Sequence, residues 1–402
     1  MKPGCMRILL ANFTKMVQDT GGTAKVNCEF ANEMIRRGHD VAMVYSDDRE
    51  GSFFFPVREE ALCYNLRHFR GKNQTMPFTY IIRRELLRPF SHASSNAVND
   101  DFTKHVLLSN VREILSDFHP DVILCFQPAA AKTYLLDLDV NVPVILMGHG
   151  DVADWFVNYP PAQVEAIGKS DLCQVLMPSF AKILQAHFPH LPTAVIGNVV
   201  PQYTQQANLA APKERHKILF LGRLAKGQKR PHLLVDAFCR IAHNFLDWDL
   251  ELWGATDRKS YDRELDGIAR RAGLSARVRR MGLTQNVPEV LVSGDIFVFP
   301  SASEGFGLAA AEAMRVGLPA VAFRSCPALN ELIEDGVTGL LSEDGADALA
   351  KTIARLMDDT TLRVRLGTTA REAMRAYAPE IIWNKWEKLL ANTIDERPRS
   401  AS

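Results

Sequence analysis

The chain alternates between short apolar runs of strand length and longer stretches with helical spacing. "RILLANF" belongs to the first kind. "GGTAKVNCEFANEMIRRG" belongs to the second: Val26, Phe30, Met34 and Ile35 fall near one face of a helix, and Gly38 closes it. "DVAMVYS", "DVILCF", "VPVILMG", "LCQVLMPS" and "TAVIGN" repeat the strand signal, each beside a helical segment. Near-continuous apolar strands between helices predict a parallel sheet covered on both faces.

The rhythm breaks at "VVPQYTQQANLAAPKERH", which is polar, aperiodic and holds two prolines, and therefore reads as a linker. It restarts with "KILFLGRL", "LELWG", "VRRMG", "DIFVFPS" and "LPAVAF", each followed by a helical stretch. The expectation is an α/β chain of two doubly wound domains, 1–199 and 200–378. A final amphipathic helix opens near Pro379, and the tail "DERPRSAS" is expected to fray. Ile381, Trp383, Trp386 and Leu389 of that helix need an apolar surface to cover them. Ligands of such sheets bind at the carboxyl ends of the strands, so the cleft between two such domains is the natural site.

Composition narrows the function. With 402 residues, 47% hydrophobic, the chain is too long for one typical core. Basic and acidic residues balance at 47 each, which gives nucleic acid no claim as the main partner. Seven cysteines lie scattered without a CxxC pair, as expected of a reduced, cytoplasmic protein with buried thiols. The N-terminal run lacks a signal-peptide core, and no apolar stretch approaches the roughly 18 residues of a membrane span.

Four segments carry candidate chemistry. In "SASEGFGLAAAEAM", Glu304 follows a buried strand, and Gly305, Phe306 and Gly307 lead into a helix that starts near Leu308. Free N–H groups at a helix start favour an anion, and glycine lets backbone approach it. Glu312, one to two turns on, has the reach to accept hydrogen bonds from a ribose diol. The plain alternative is a capping glutamate and a solvated helical one. In "FLGRLAKGQKRPHLLVDAF", Arg223 and Lys229 flank a glycine turn before a helix that Pro231 opens. Two cations at a strand end suit a diphosphate, with Lys226 and Arg230 as rivals and an ordinary basic loop as the alternative. In "TGGTAK", Gly21 and Gly22 give close approach at the first helix start, although the GxGxxG dinucleotide fingerprint is absent. A nicotinamide-dependent oxidoreductase is therefore a poor fit. In "VILMGHGDVADW", His149 stands between two glycines at a strand end, where it is either a cleft residue or a structural one.

Together "GGTAKVNCEFANEMIRRGHDV", "GHGD", "FLGRLAKGQKRPHLLVDAF", "PSASEGFGLAAAEAMRVGLPAVAF" and "NELIEDGVTGLL" resemble the retaining nucleotide-sugar glycosyltransferases of family 4, glycosyl transferases group 1. The resemblance spans almost the whole chain. It is strongest from about residue 215 to 342 and weakest from about 46 to 115; two glutamates eight apart, with GFG after the first, are its most specific part. It implies a GT-B fold: two Rossmann-like domains face a central cleft, with the acceptor side in the first and the donor side in the second. The C-terminal helix returns to the first domain. It further implies that Arg223 and Lys229 neutralise the donor diphosphate and that Glu312 holds the ribose. Glu304 and the amides of Gly305, Phe306, Gly307 and Leu308 face the donor sugar and phosphate. His149 contacts the sugar near its reacting carbon, Gly21 and Gly22 line the cleft floor, and Met281 and Leu283 lie near the base. Two departures stand out: Val199 replaces an expected glycine, and the lysine and glycine of "GRLAKGQKRP" are displaced, which keeps Lys226 in play.

The resemblance implies a hexosyltransferase reaction with retention, in which cations and helix amides stabilise the leaving diphosphate. Same-face attack needs no carboxylate base; double displacement through Glu304 is the other route. No cofactor and no metal are expected. The two Asp-x-Asp pairs, Asp137/Asp139 and Asp247/Asp249, lie before strands, at the end of the sheet away from the expected site. The acceptor is expected to be a glycan or lipid-linked molecule of cell-surface polysaccharide or lipopolysaccharide synthesis. Residues 65–90 hold Arg67, Arg70, Lys72, Arg83, Arg84 and Arg88 against one acid, Glu85, with aromatic residues between. That pattern suits an anionic membrane surface, on which a cytoplasmic protein docks peripherally, or a phosphorylated acceptor; a solvated basic face is the alternative. Other readings are an epimerase or sugar-phosphate glycosyltransferase of the same fold, or a catalytically silent subunit.

Overall fold

A computed structural model describes residues 4–256 and 258–396; residues 397–402 of the tail expected to fray lie outside the described residues. The chain divides into two compact units, Met1–Ile196 with Trp383–Ser402, and Gly197–Ile382.

The first unit is built on a parallel seven-stranded sheet. Its strands are β1 (Arg7–Asn12), β2 (Asp40–Tyr45), β3 (Leu62–Asn65), β6 (Val122–Cys125), β7 (Val144–Gly148), β8 (Leu172–Val175) and β9 (Thr193–Val195), in the order β3-β2-β1-β6-β7-β8-β9. Strands β4 (His68–Phe69) and β5 (Lys72–Asn73) form a separate antiparallel pair. Every residue of β6 and β7 is buried, as their continuous apolar sequence requires. The order reverses between β1 and β6, which opens a switch point at their carboxyl ends.

The Pro379–Glu396 helix closes this unit. Trp383 and Trp386 meet the ring of Phe30 edge-on, with centroids 5.4 and 5.0 Å apart. The buried aliphatic positions are Ile382 and Leu390, not Ile381, which is 44% exposed, and Leu389, which is half-buried. Arg37 anchors the same helix through Glu387, at 2.6 Å.

The second unit has a parallel six-stranded sheet: β10 (His216–Leu221), β11 (Trp248–Trp253), β12 (Val278–Gly282), β13 (Ile296–Phe299), β14 (Ala320–Phe323) and β15 (Gly339–Ser342), in the order β12-β11-β10-β13-β14-β15. Its switch point falls between β10 and β13. The 199–216 stretch read as a linker forms no regular element before β10 at His216, but it is not loose. The amides of Val200 and Ala207 donate to Tyr377 and Val316 carbonyls at 2.9 and 2.8 Å, and Val200, Ala207 and Leu209 are buried. All seven cysteines are free, with Cys28, Cys125, Cys173 and Cys326 buried and Cys63 exposed. Among the described residues, no helix is long and apolar enough to cross a membrane.

Candidate active site

The loops that leave β10 and β13 meet at the switch point of the second unit. Residues 225–230 curl tightly: the amides of Lys229 and Arg230 both donate to the Ala225 carbonyl, at 3.1 and 3.0 Å. Arg230 ends the curl in the left-handed region, at φ 49° and ψ 40°, and Pro231 then opens the Pro231–Ile241 helix. The β13 loop is stitched to this curl. The Ala302 amide donates to the Gln228 carbonyl at 2.7 Å, and Gln228 Nε2 donates to the Ser303 carbonyl at 3.3 Å.

This stitching aligns Lys229 with Glu304. Lys229 Nζ donates to both oxygens of Glu304, at 2.6 and 2.7 Å, and lies 4.8 Å from the centre of the Phe299 ring. The side chains are 15% and 7% exposed, so this pair is nearly out of water. An ammonium has three N–H donors, and two of them serve Glu304. Arg223 donates to Gln228 Oε1 at 3.2 Å, which brings its guanidinium to the same curl.

The rival cations do other work. Arg230 donates to the carbonyls of Pro300 and Ser301 at 3.0 and 2.9 Å and stacks over Phe323, so it fastens the two loops. Lys226 turns away to both oxygens of Glu264 at 2.8 Å. That pair borders a hollow of about 460 Å³ lined also by Leu224, Gly227, Arg258 and Tyr261, a feature the sequence reading missed.

After Glu304 the chain enters the Leu308–Arg315 helix through Gly307, at φ +83°. A Cβ on Gly307 would stand 2.4 Å from Leu329 Cδ2, so only glycine fits this turn. Phe306 contributes backbone here, as the expected role of its amide requires. Its ring is 2% exposed and meets Tyr377 edge-on at 5.0 Å, which leaves only its backbone to face a ligand. Glu312 is 4% exposed, which rules out a merely solvated helical glutamate. Met281 and Leu283 lie at the carboxyl end of edge strand β12, 39% and 66% exposed.

The remaining candidates belong to the first unit. Gly21 caps the Gly22–Arg36 helix, and its amide donates to Asp19 Oδ1 at 2.9 Å. That N–H, expected to approach a phosphate, is already engaged by a carboxylate. Gly22 has open space where a Cβ would stand. His149 follows β7 and stacks on Phe126 at 4.8 Å with 14° between the planes. Burial pushes its imidazole down to about 4, so the ring is neutral at pH 7, and its Nε2 is buried without a protein hydrogen-bond partner. Neither Asp-x-Asp pair gathers into a metal centre; among the described residues no cluster of three or more His, Cys, Asp or Glu is suitably placed. Asp137 pairs with Lys132 at 2.6 Å, and Asp249 sits among Arg215, Arg277 and Arg279.

Residues 202–373 match the family described as glycosyl transferases group 1. That match lies within the second unit, Gly197–Ile382. An exopolysaccharide phosphotransferase of Streptomyces coelicolor is 25% identical over 89% of this chain, and the chain spans about a third of that relative, 36%. An uncharacterized glycosyltransferase of Haemophilus influenzae is 23% identical over 94% of this chain and 98% of its own length. Among solved structures, sucrose-phosphate synthase from Thermosynechococcus elongatus superposes with a TM-score of 0.76 at 17% identity, covering 97% of this chain and 99% of that one. The expected pair of Rossmann-like domains with parallel sheets is therefore the fold observed, and it is that of GT-B glycosyltransferases.

Proposed function

We propose that this chain transfers a sugar, with retention of anomeric configuration, from a nucleotide-diphosphate-sugar to a glycan or lipid-linked acceptor in cell-surface polysaccharide or lipopolysaccharide synthesis. One observation carries the reading: a nearly dry Lys229–Glu304 pair and a buried Glu312 stand at the switch point of the second unit.

On this reading Lys229 gives its third N–H to the diphosphate while Glu304 fixes its position, and Arg223 supplies the second cation. The bond from the anomeric carbon to the phosphate oxygen breaks with its electron pair on the diphosphate. The acceptor oxygen bonds to that carbon from the same face, and its proton passes to a phosphate oxygen. The cations and the amides leading into the Leu308–Arg315 helix stabilise the charge that grows on the leaving group. Glu304 then positions the sugar rather than attacking it, because its carboxylate is already held by Lys229. Glu312 accepts from the ribose hydroxyls, Met281 and Leu283 border the base, and His149 offers a neutral ring nitrogen to a sugar hydroxyl. No cofactor or metal takes part.

A thermal-shift screen against UDP-, GDP- and ADP-sugars, run on the parent chain and on Glu312→Ala, tests the reading. Stabilisation by one donor class that the substitution removes is expected. No stabilisation by any donor would refute the enzyme assignment, and stabilisation unchanged by Glu312→Ala would refute the ribose role. The name of the Streptomyces relative favours one other reaction, transfer of a sugar phosphate. Product mass separates the two, since only phosphotransfer leaves a phosphoryl group on the acceptor.

A further inference from the structure

The Phe78–Leu87 helix of the first unit has no buried residue. Tyr80, Ile81, Arg84 and Leu87 are half-buried on its inner side, where Tyr80 meets Phe102 of the His92–Phe102 helix at 6.0 Å. The outer side is apolar. Phe78, Ile82 and Leu86 recur every fourth residue, so they share one face, and they are 73%, 43% and 66% exposed. Phe90, in the turn that follows, extends the stripe at 88% exposure. Four large apolar side chains in one line form a contiguous patch, unlike single scattered ones.

Arginines flank the stripe along the chain. Arg83 and Arg88 are 59% and 64% exposed at their side chains, and Lys72 on the β4–β5 hairpin is exposed too. Glu85 is the only acid in residues 65–90, and both Arg84 and Arg88 lean on it, at 3.0 and 3.3 Å. One carboxylate shared by two guanidiniums leaves a net positive charge. Arg83 pairs with Asp101 at 2.9 Å, but pairs this exposed hold weakly and exchange readily for another anion. The chain as a whole has formal net charge +0, so this face concentrates charge that the rest of the molecule balances.

We propose that this helix lies in the interfacial plane of an anionic bilayer, with Phe78, Ile82, Leu86 and Phe90 in the headgroup–acyl boundary and Arg83, Arg88 and Lys72 on lipid phosphates. An exposed apolar line flanked by arginine is the signature of an interfacial helix, and a basic cluster beside it adds attraction to anionic lipid. A second copy of the chain is a poorer occupant. Two-fold pairing would set Arg83, Arg84 and Arg88, with Glu85 and Asp101, against the same net-positive set. The docking does not depend on the transferase reading, but it places a lipid-linked acceptor within reach of the first unit.

Vesicle flotation of the full chain tests it, with phosphatidylcholine alone and with added phosphatidylglycerol. Flotation only with the anionic vesicles, weakening as salt rises, is expected. Leu86→Ser with Phe90→Ser removes two exposed apolar groups without touching the core, and lowers partitioning by about a hundred-fold at unchanged melting temperature. Equal flotation on both vesicle types, no flotation on either, or a variant that floats like the parent would overturn the proposal. Concentration-dependent self-association that the double variant abolishes, without vesicle binding, would assign the patch to a second copy instead. Donor binding is read separately, so a failure of either result leaves the other standing.

Discussion

Removing the Lys229 amine would strand the Glu304 carboxylate in a place that is 7% exposed at the side chain. Breaking one partner out of a buried ion pair costs about 3–5 kcal/mol, because the remaining charge is left uncompensated. Lys229 keeps 15% side-chain exposure, so some water reaches the pair and the lower end, about 3 kcal/mol, is expected for Lys229→Ala. With a urea slope of about 2 kcal/mol per molar, the unfolding midpoint of the second unit falls by about 1.5 M. Trp248 and Trp253 lie in this unit and report its unfolding by fluorescence. The informative comparison is the double variant Lys229→Ala/Glu304→Gln. It removes the stranded charge and leaves only a neutral amide to satisfy, at about 1–2 kcal/mol. The double variant is therefore more stable than the single one, by about 1–2 kcal/mol. If the two substitutions simply add, or if Lys229→Ala leaves the midpoint unchanged, the pair is a solvated contact and the reasoning fails. Donor affinity supplies the functional half of the test. Lys229→Ala weakens binding of the nucleotide-sugar, whereas a purely structural lysine leaves it unaltered once the protein is folded.

Three further outcomes are expected. Because burial holds the His149 imidazole at about 4 against an ordinary 6.5, the unfolded chain takes up its proton first as pH falls, so stability drops by up to about 3 kcal/mol between those values. Asp100, pushed up to about 6 by burial, acts in the opposite sense, since its folded form takes the proton first, so the His149 effect is read as the difference between parent and His149→Asn unfolding curves across pH. Gly307→Ala costs about 2 kcal/mol or more, from the left-handed backbone and the clash with Leu329, measurable as a lowered urea midpoint with an unchanged slope. Turnover survives EDTA; loss of activity that magnesium or manganese restores would refute the metal-independent scheme.

The parallel strands were legible because buried β strands are written as unbroken apolar runs, as in "VILC" and "IFVF". Strand β3 and the β4–β5 pair were not, because they are short and partly exposed and so carry no such run. The last helix shows a finer limit: Ile381 and Ile382 both fit helical spacing, and spacing alone does not tell that Ile382 is the buried one. The packing of the Phe306 ring was illegible for a similar reason. Its ring packs beside Tyr377 over Gly197, where a Cβ would stand 2.6 Å from Tyr377 and 2.9 Å from Phe306, and a glycine more than a hundred residues earlier leaves no local trace. The choice between Lys226 and Lys229 depends on the same kind of distant information. Composition, charge and distance from the strand end hardly separate the two. The tight curl onto the Ala225 carbonyl separates them, since it sends one amine to Glu264 and the other to Glu304. The displaced "AKGQKR" order is thus a rearranged turn that still delivers one lysine to the strand end. A chain with Lys226 and Lys229 both changed to alanine should lose donor affinity no further than Lys229→Ala alone.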